Sequence, residues 1–241
     1  SNQLDSQNTE LPNETKVLNQ DTNPTLTTSQ TPARNQLRIA VCGNIGVGKS
    51  TLATDLVQEL SAKYVFENYA NNPYLEPFYQ DLKDNVIPNR YALNTELFFL
   101  EDLFNTHSAN YKEDHVVFDR TLYETCWVFC ESLIENGILS QDDAEVVRQK
   151  AADYVSKFQG YDVYIYLKAS TKTLMQRIAS RGREIEKDIK EDYLQQLEVL
   201  YEKMFTKKID TRKQIIVETD QMTQKEVTEA IISELKRFKH Q

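Results

Sequence analysis

Five short runs of the chain are almost continuously apolar: LRIAVC (37–42), KYVFE (63–67), HVVFD (115–119), DVYIYLKA (162–169) and QIIVET (214–219). A strand with one wet face would carry a polar residue at every second position. Continuous runs instead predict strands covered on both faces. Helical periodicity fills the gaps between them. Leu93, Leu97, Leu100 and Phe104 recur at i, i+4, i+7 and i+11, a single helix stripe. Leu122, Cys126, Phe129 and Leu133 form a second stripe, with Trp127, Cys130 and Ile134 beside it. A helix apolar on two sides is expected to be buried on two sides, against the core and against another subunit. Val147, Ala151, Tyr154 and Phe158 make a third stripe that ends before Gly160. Gly137 and Gly160 each follow such a pattern, where a C-terminal cap is expected. Strand and helix alternate throughout, so the fold class is α/β: a doubly wound parallel sheet of about five strands in a three-layer sandwich.

Composition divides the chain in two. Residues 1–36 contain 24 Ser, Thr, Asn, Gln or Pro, and the first aromatic residue is Tyr64. Such a segment buries too little apolar surface to offset its ordering entropy and is expected to be a disordered polar tail. It has neither the apolar run of a signal peptide nor the cations of a basic arm. Residues 37–241 are then the single catalytic-sized domain. The net charge of −9 argues against a polymeric nucleic acid as partner but leaves small anionic ligands open. Cys42, Cys126 and Cys130 suit a reducing, cytoplasmic setting and lack metal-site spacing to any His. No apolar run is long enough to span a membrane.

Three of the six glycines fall in one loop, within IAVCGNIGVGKSTLA (39–53). GNIGVGKS fits G-x-x-x-x-G-K-[ST] between a predicted strand and a predicted helix, the setting that motif requires. Gly43, Gly46 and Gly48 free the backbone to turn its N–H groups toward phosphate oxygens, together with Asn44, Ile45, Val47 and Thr51 around them. Lys49 is expected to reach the β- and γ-phosphates, and Ser50 to ligate Mg²⁺. Asp119 and Arg120 close the third strand; the acid can orient Mg²⁺ and the guanidinium can steady a transferring phosphoryl group. Arg177 and Arg181 share a helix face, with Arg183 just past Gly182. This arginine run is expected to form a lid, at about 177–187, over the bound phosphates. Glu67 ends the second strand, where a carboxylate can take a proton from an attacking hydroxyl.

Together, GNIGVGKST, FENYANNPYLEPFY, DRTLYE and RIASRGREIEK followed by YLQQL resemble the deoxynucleoside kinase family, over about residues 37–207. The chain is most similar to its bacterial deoxyadenosine and deoxyguanosine kinase branch. The resemblance implies transfer of a phosphoryl group from Mg-ATP to the 5′-hydroxyl of a deoxynucleoside by a homodimer. It places Glu67 as the general base and Arg120 beside it. It also makes Arg177, Arg181 and Arg183 the lid arginines, and lets Glu186 with Tyr79 hold the sugar 3′-hydroxyl.

Two departures bear on the base. The family commonly has a base-reading Gln where this chain has Glu96, on one helix face with Phe99, Leu100 and Leu103. An ionised Glu only accepts hydrogen bonds, which suits the adjacent N1–H and amine of guanine and repels thymine. Relatives also pair an Arg and an Asp at positions that are here Leu103 and Thr125, which leaves a less polar pocket. KDNVIPN (83–89) is an apparent insertion after Tyr79. The expected acceptor is a purine deoxynucleoside, deoxyguanosine ahead of deoxyadenosine. The alternatives are a pyrimidine deoxynucleoside kinase, a thymidylate-type monophosphate kinase, and a non-catalytic scaffold on the same fold.

Overall fold

A computed structural model describes residues 36–66, 68–112 and 114–238. Residues 1–35, which make up nearly all of the expected tail, and Glu67 lie outside the described residues. Each of the five apolar runs is a strand: β1 (Arg38–Gly43), β2 (Lys63–Phe66), β3 (Val116–Asp119), β4 (Val163–Lys168) and β5 (Gln214–Glu218). They form one parallel sheet in the order β2-β3-β1-β4-β5. From β1 the chain crosses to the edge strand β2, returns to β3 between the two, and then passes to β4 and β5 on the other side of β1. The C-terminal ends of β1, β3 and β4 therefore meet at the switch point where α/β sheets bind ligands.

The register shows which side chains share a face. Val41 stands opposite Asp119, and Tyr64 opposite Val117. Side chains of directly paired residues point to the same side of a sheet, and neighbours along a strand to opposite sides. Asp119 meets Ser50 on α1 (Lys49–Leu60), so α1 covers that face, with α9 (Gln224–Leu235) packed against it. Ala40, Phe118 and Tyr164 point the other way. There Phe118 meets His107 of α3 (Ala92–Ser108), and Tyr164 meets Tyr123 of α4 (Leu122–Glu124). Tyr166 stacks on Phe205 of α8 (Glu191–Lys207) at 4.1 Å. The result is the expected three-layer sandwich.

The predicted stripe on α3 is displaced by one position. The buried line is Ala92, Thr95, Glu96, Phe99, Leu100, Leu103 and His107. Leu93, Leu97 and Phe104 are half-buried, and Phe104 packs on Tyr154 and Phe158 at the end of α6 (Gln141–Lys157). Of the predicted line only Leu100 is fully buried, and Phe104 helps to seat α3 on α6. The two-sided stripe from Leu122 is likewise satisfied largely within this chain. α4 runs without a break through a π turn (Thr125–Phe129) into α5 (Cys130–Glu135). That rod lies between α3, α6 and α8.

α2 (Leu75–Lys83) precedes the apparent insertion, which is braced rather than loose. Buried Asp81 takes three hydrogen bonds from Arg90, and Asn89 donates to Phe78 O and accepts from Tyr91 N.

His107 supplies a pH test of this packing. Burial, with Arg38 nearby, lowers its pKa from 6.5 to about 3. The Tyr161 hydroxyl accepts from Leu122 N and is hydrogen-bonded to His107 Nδ1 at 2.6 Å. On acidification the unfolded imidazole takes up a proton below pH 6.5, while the folded one does so only near pH 3. Stability contributed by this group is therefore complete above 6.5 and falls as the pH drops through that window. The expected loss between pH 7 and pH 5 is about 2 kcal/mol. Denaturant titrations at both values check it, with His107→Gln flattening the dependence; an unchanged slope in that variant refutes the assignment.

Candidate active site

The phosphate loop joins β1 to α1. Gly43, Gly46 and Gly48 all have positive φ, at 150°, 82° and 104°. At Gly43 an added Cβ would lie 2.7 Å from Leu167 O, and at Gly46 it would lie 2.9 Å from Ile178 Cγ1. The loop is thus pressed between β4 and α7 (Thr171–Arg181). Within the loop Ile45 N donates to Asn44 Oδ1 at 2.8 Å and Val47 N to Asn44 O at 3.2 Å. Lys49 is buried and donates to Gly43 O (2.6 Å) and Asn44 O (3.1 Å) within the loop's own curve.

Below the loop, Asp119 Oδ2 accepts from Ser50 Oγ and from Tyr64 OH, both at 2.8 Å. Burial and the Asp119 charge push the Tyr64 phenol up, which keeps it a donor. The hydroxyl and carboxylate are hard oxygen ligands at a helix start, a set that fits Mg²⁺ carried in with nucleotide phosphates. Among the described residues no group of three or more His, Cys, Asp or Glu is placed to hold a metal ion.

A cavity of about 720 Å³ opens above the loop. Gly46 to Thr51, Arg177, Arg181, Arg183, Thr219, Met222 and Gln224 line it. Arg177 Nη1 donates to Val47 O (3.1 Å) and Thr219 Oγ1 (3.3 Å), tying α7 to the loop and to the end of β5. Gly182, at φ 61°, ends α7. Beyond it, Glu186 is buried in a 3₁₀ turn (Glu184–Glu186) and receives Arg181 at 2.6 Å and Arg183 at 3.9 Å. Two of the three expected lid arginines, Arg181 and Arg183, thus share one acid of their own segment, while Arg177 holds the phosphate loop.

Arg120 lies on the other side of Asp119. It is buried, with backbone φ 78°, and its N donates to Val41 O at 3.1 Å. A non-glycine residue at positive φ stores strain that the surroundings must hold. The guanidinium stands 4.1 Å from the Phe129 ring centre and 5.8 Å from that of Tyr69. Tyr69 in turn packs edge-on against Phe99 of α3. One turn before Phe99, Glu96 is fully buried and accepts from Cys130 Sγ at 3.4 Å. Burial and the Glu96 charge push both the Cys130 and the Cys126 thiols up, so both stay protonated. Leu103 and Thr125 are buried on the same two helices, α3 and the π turn. Tyr79 is half-buried on α2 with its ring against Phe78. An arginine, two aromatic walls and a buried carboxylate suit a planar polar ligand beside the phosphate loop.

A deoxynucleoside kinase family model matches residues 39–240, nearly all of the described chain. The chain belongs to the deoxynucleoside kinase family. It is 34% identical over 169 residues to the deoxyguanosine kinase of Bacillus subtilis (strain 168), covering 68% of this chain and 76% of that one. It is 31% identical over 167 residues to the deoxyadenosine/deoxycytidine kinase of the same organism, covering 68% and 74%. Among solved structures, deoxyadenosine kinase from M. mycoides with bound dATP superposes with a TM-score of 0.69 at 28% identity, over 83% of this chain and all of that one.

As a deoxynucleoside kinase the protein is a phosphotransferase. Several residues around the candidate site have no clear mark in the sequence. Tyr64 was read only as a strand residue, and Thr219, Met222 and Gln224 follow the last strand without any motif. Glu124 did carry a signal: with Thr121 it forms T-x-x-E, a capping box, and both halves of that box are present.

Proposed function

We propose that this enzyme transfers the γ-phosphoryl group of Mg-ATP to the 5′-hydroxyl of a purine deoxynucleoside, deoxyguanosine ahead of deoxyadenosine. The observation that carries the base preference is Glu96, a fully buried carboxylate on one buried line of α3 with Phe99 and Leu103. An acceptor-only group there matches the two adjacent donors of guanine. In this reading the 720 Å³ cavity holds ATP, Lys49 and the loop N–H groups grip its phosphates, and Ser50 and Asp119 hold Mg²⁺. Bound Mg²⁺ supplies charge neutralisation on the phosphates. Arg181 and Arg183 leave Glu186 for those phosphates as the lid closes. Glu186, with Tyr79, then takes the sugar 3′-hydroxyl. Glu67 removes the proton of the 5′-hydroxyl, and Arg120 steadies the transferring group from its place over Phe129. The reading includes a homodimer in the cytoplasm and residues 37–241 as the working domain. No helix among the described residues is long and apolar enough to cross a membrane.

A second reading, preference for deoxyadenosine or deoxycytidine, is supported by the names of two relatives. One is a deoxyadenosine/deoxycytidine kinase, and the M. mycoides enzyme is described with both dATP and dCTP. A steady-state assay with Mg-ATP against the four natural deoxynucleosides and their monophosphates separates these readings. Turnover of deoxyguanosine above the others is expected; turnover only of monophosphates would end the proposal. Glu96→Gln should lower kcat/KM for deoxyguanosine about ten- to a hundredfold, the value of a hydrogen bond to a charged group. A profile that does not move shows that Glu96 does not read the base.

A further inference from the structure

Glu124 is fully buried at the end of α4, four residues beyond Arg120, and the proposed chemistry does not use it. Its two carboxylate oxygens gather donors from three separate parts of the fold. Oε1 accepts from Thr121 N at 2.9 Å, and Thr121 Oγ1 accepts from Glu124 N at 3.0 Å. Oε2 accepts from Tyr201 OH at 2.5 Å and from Gly43 N at 3.4 Å. Thr121 directly follows the strained Arg120, Gly43 opens the phosphate loop, and Tyr201 belongs to α8, the helix that leaves the lid. A second bond runs between the same loop and the same helix, from Asn44 Nδ2 to Leu194 O at 2.9 Å.

The type of group matters as much as its place. A carboxylate accepts on both oxygens, so it can serve the Thr121 side and the Gly43–Tyr201 side together. An amide of the same shape accepts on one side only and turns an NH₂ toward donors on the other. Two of the three donors are backbone N–H groups, which cannot reverse their role. Burying such a charged group costs free energy that a hydrophobic residue would not. What the carboxylate supplies in return is a fixed spacing between segments that approach the nucleotide from different directions.

We propose that Glu124 is a positioning residue that sets the distance between the phosphate loop and the Arg120 guanidinium, and so aligns donor and acceptor for transfer. It touches neither substrate. The proposal rests on the function proposed above, because that reading assigns Arg120 and the loop to opposite ends of the reacting line. Misplacement of reacting groups by about 1 Å costs about a hundredfold in rate without abolishing binding. Loss of this junction therefore falls on kcat more than on the affinity for either substrate.

The test uses the full chain with Glu124→Gln, Tyr201→Phe and the double variant. It measures kcat, both KM values, ATP affinity at equilibrium and the thermal midpoint, each per folded molecule. Glu124→Gln is expected to lower kcat about ten- to a hundredfold while each KM moves less than about threefold. Tyr201→Phe lowers kcat in the same direction by a smaller factor, and the double variant is no worse than Glu124→Gln alone, because both changes break one junction. A folded Glu124→Gln protein with wild-type kcat overturns the proposal, as does one that is less stable but equally fast. Should Glu124→Gln not fold, Tyr201→Phe decides: unchanged kcat overturns the proposal, and a kcat-only loss supports it. The reference in every case is the acceptor that the wild-type enzyme turns over best. The class of that acceptor tests the function proposed above, and the variant-to-wild-type ratio tests Glu124.

Discussion

Glu67→Gln is expected to lower kcat by about a hundred- to ten-thousandfold, the range for removal of a general base. An amide keeps the size and polarity of the side chain but cannot accept the 5′-hydroxyl proton as phosphorus is attacked. ATP affinity should change little, since the proposed function gives the grip on the phosphates to Lys49 and the loop. The case for this position is the sheet register. β2 ends at Phe66, the partner of Asp119, so the chain leaves the strand beside the Asp119–Arg120 corner. Single-turnover kinetics with saturating Mg-ATP separates the chemical step from binding and release. A Glu67→Gln enzyme with wild-type single-turnover rate would remove Glu67 as the base and redirect attention to another acceptor near Arg120.

Gly43→Ala should be comparably damaging for a different reason. The added methyl group would lie 2.7 Å from Leu167 O and 2.8 Å from Val47 Cγ1, at a φ of 150°. The first contact is with backbone of the neighbouring strand, which cannot swing aside as a side chain can. Relief requires β1 and β4 to part at the point where the loop begins, and this moves the N–H groups that would face phosphate. A loss of about a hundredfold in kcat/KM is expected, with about 1–3 kcal/mol of destabilisation from the strained residue. Calorimetric titration with Mg-ATP and chemical denaturation check the two parts. Gly137→Ala is the control: it has φ 69° but nothing within 4 Å of the added carbon, so it tests strain without a clash and far from the loop. Equal activity in Gly43→Ala and Gly137→Ala would show that the close approach to β4 is unimportant.

The sheet was legible because its strands are covered on both faces, and the five apolar runs announce that directly. The phosphate loop was legible because its glycines, Lys49 and Ser50 are consecutive. What escaped was what arrives from a distance. Nothing local in YEKMF marks Tyr201 as a partner of Glu124, and nothing in TDQMTQ marks Thr219, Met222 and Gln224 as a cavity wall. The stripe on α3 was read one position off because its buried line includes Thr95, Glu96 and His107, which periodicity counts as polar. Glu96 itself emerged only from resemblance, as a departure from a common Gln. The arginine run was found, while its pairing with Glu186 followed only from the fold.

The phosphate loop is contiguous in sequence, yet its shape is held from far down the chain. Gly43 meets Glu124 across 81 residues, and Asn44 meets Leu194 across 150. A ribosome that has released only the first two strands has made every residue of the motif and none of its outer supports. On the function proposed above, nucleotide capture therefore waits until α8 has docked. Binding that selects the finished loop also stabilises everything needed to finish it, so that nucleotide acts on the whole domain as a folding ligand.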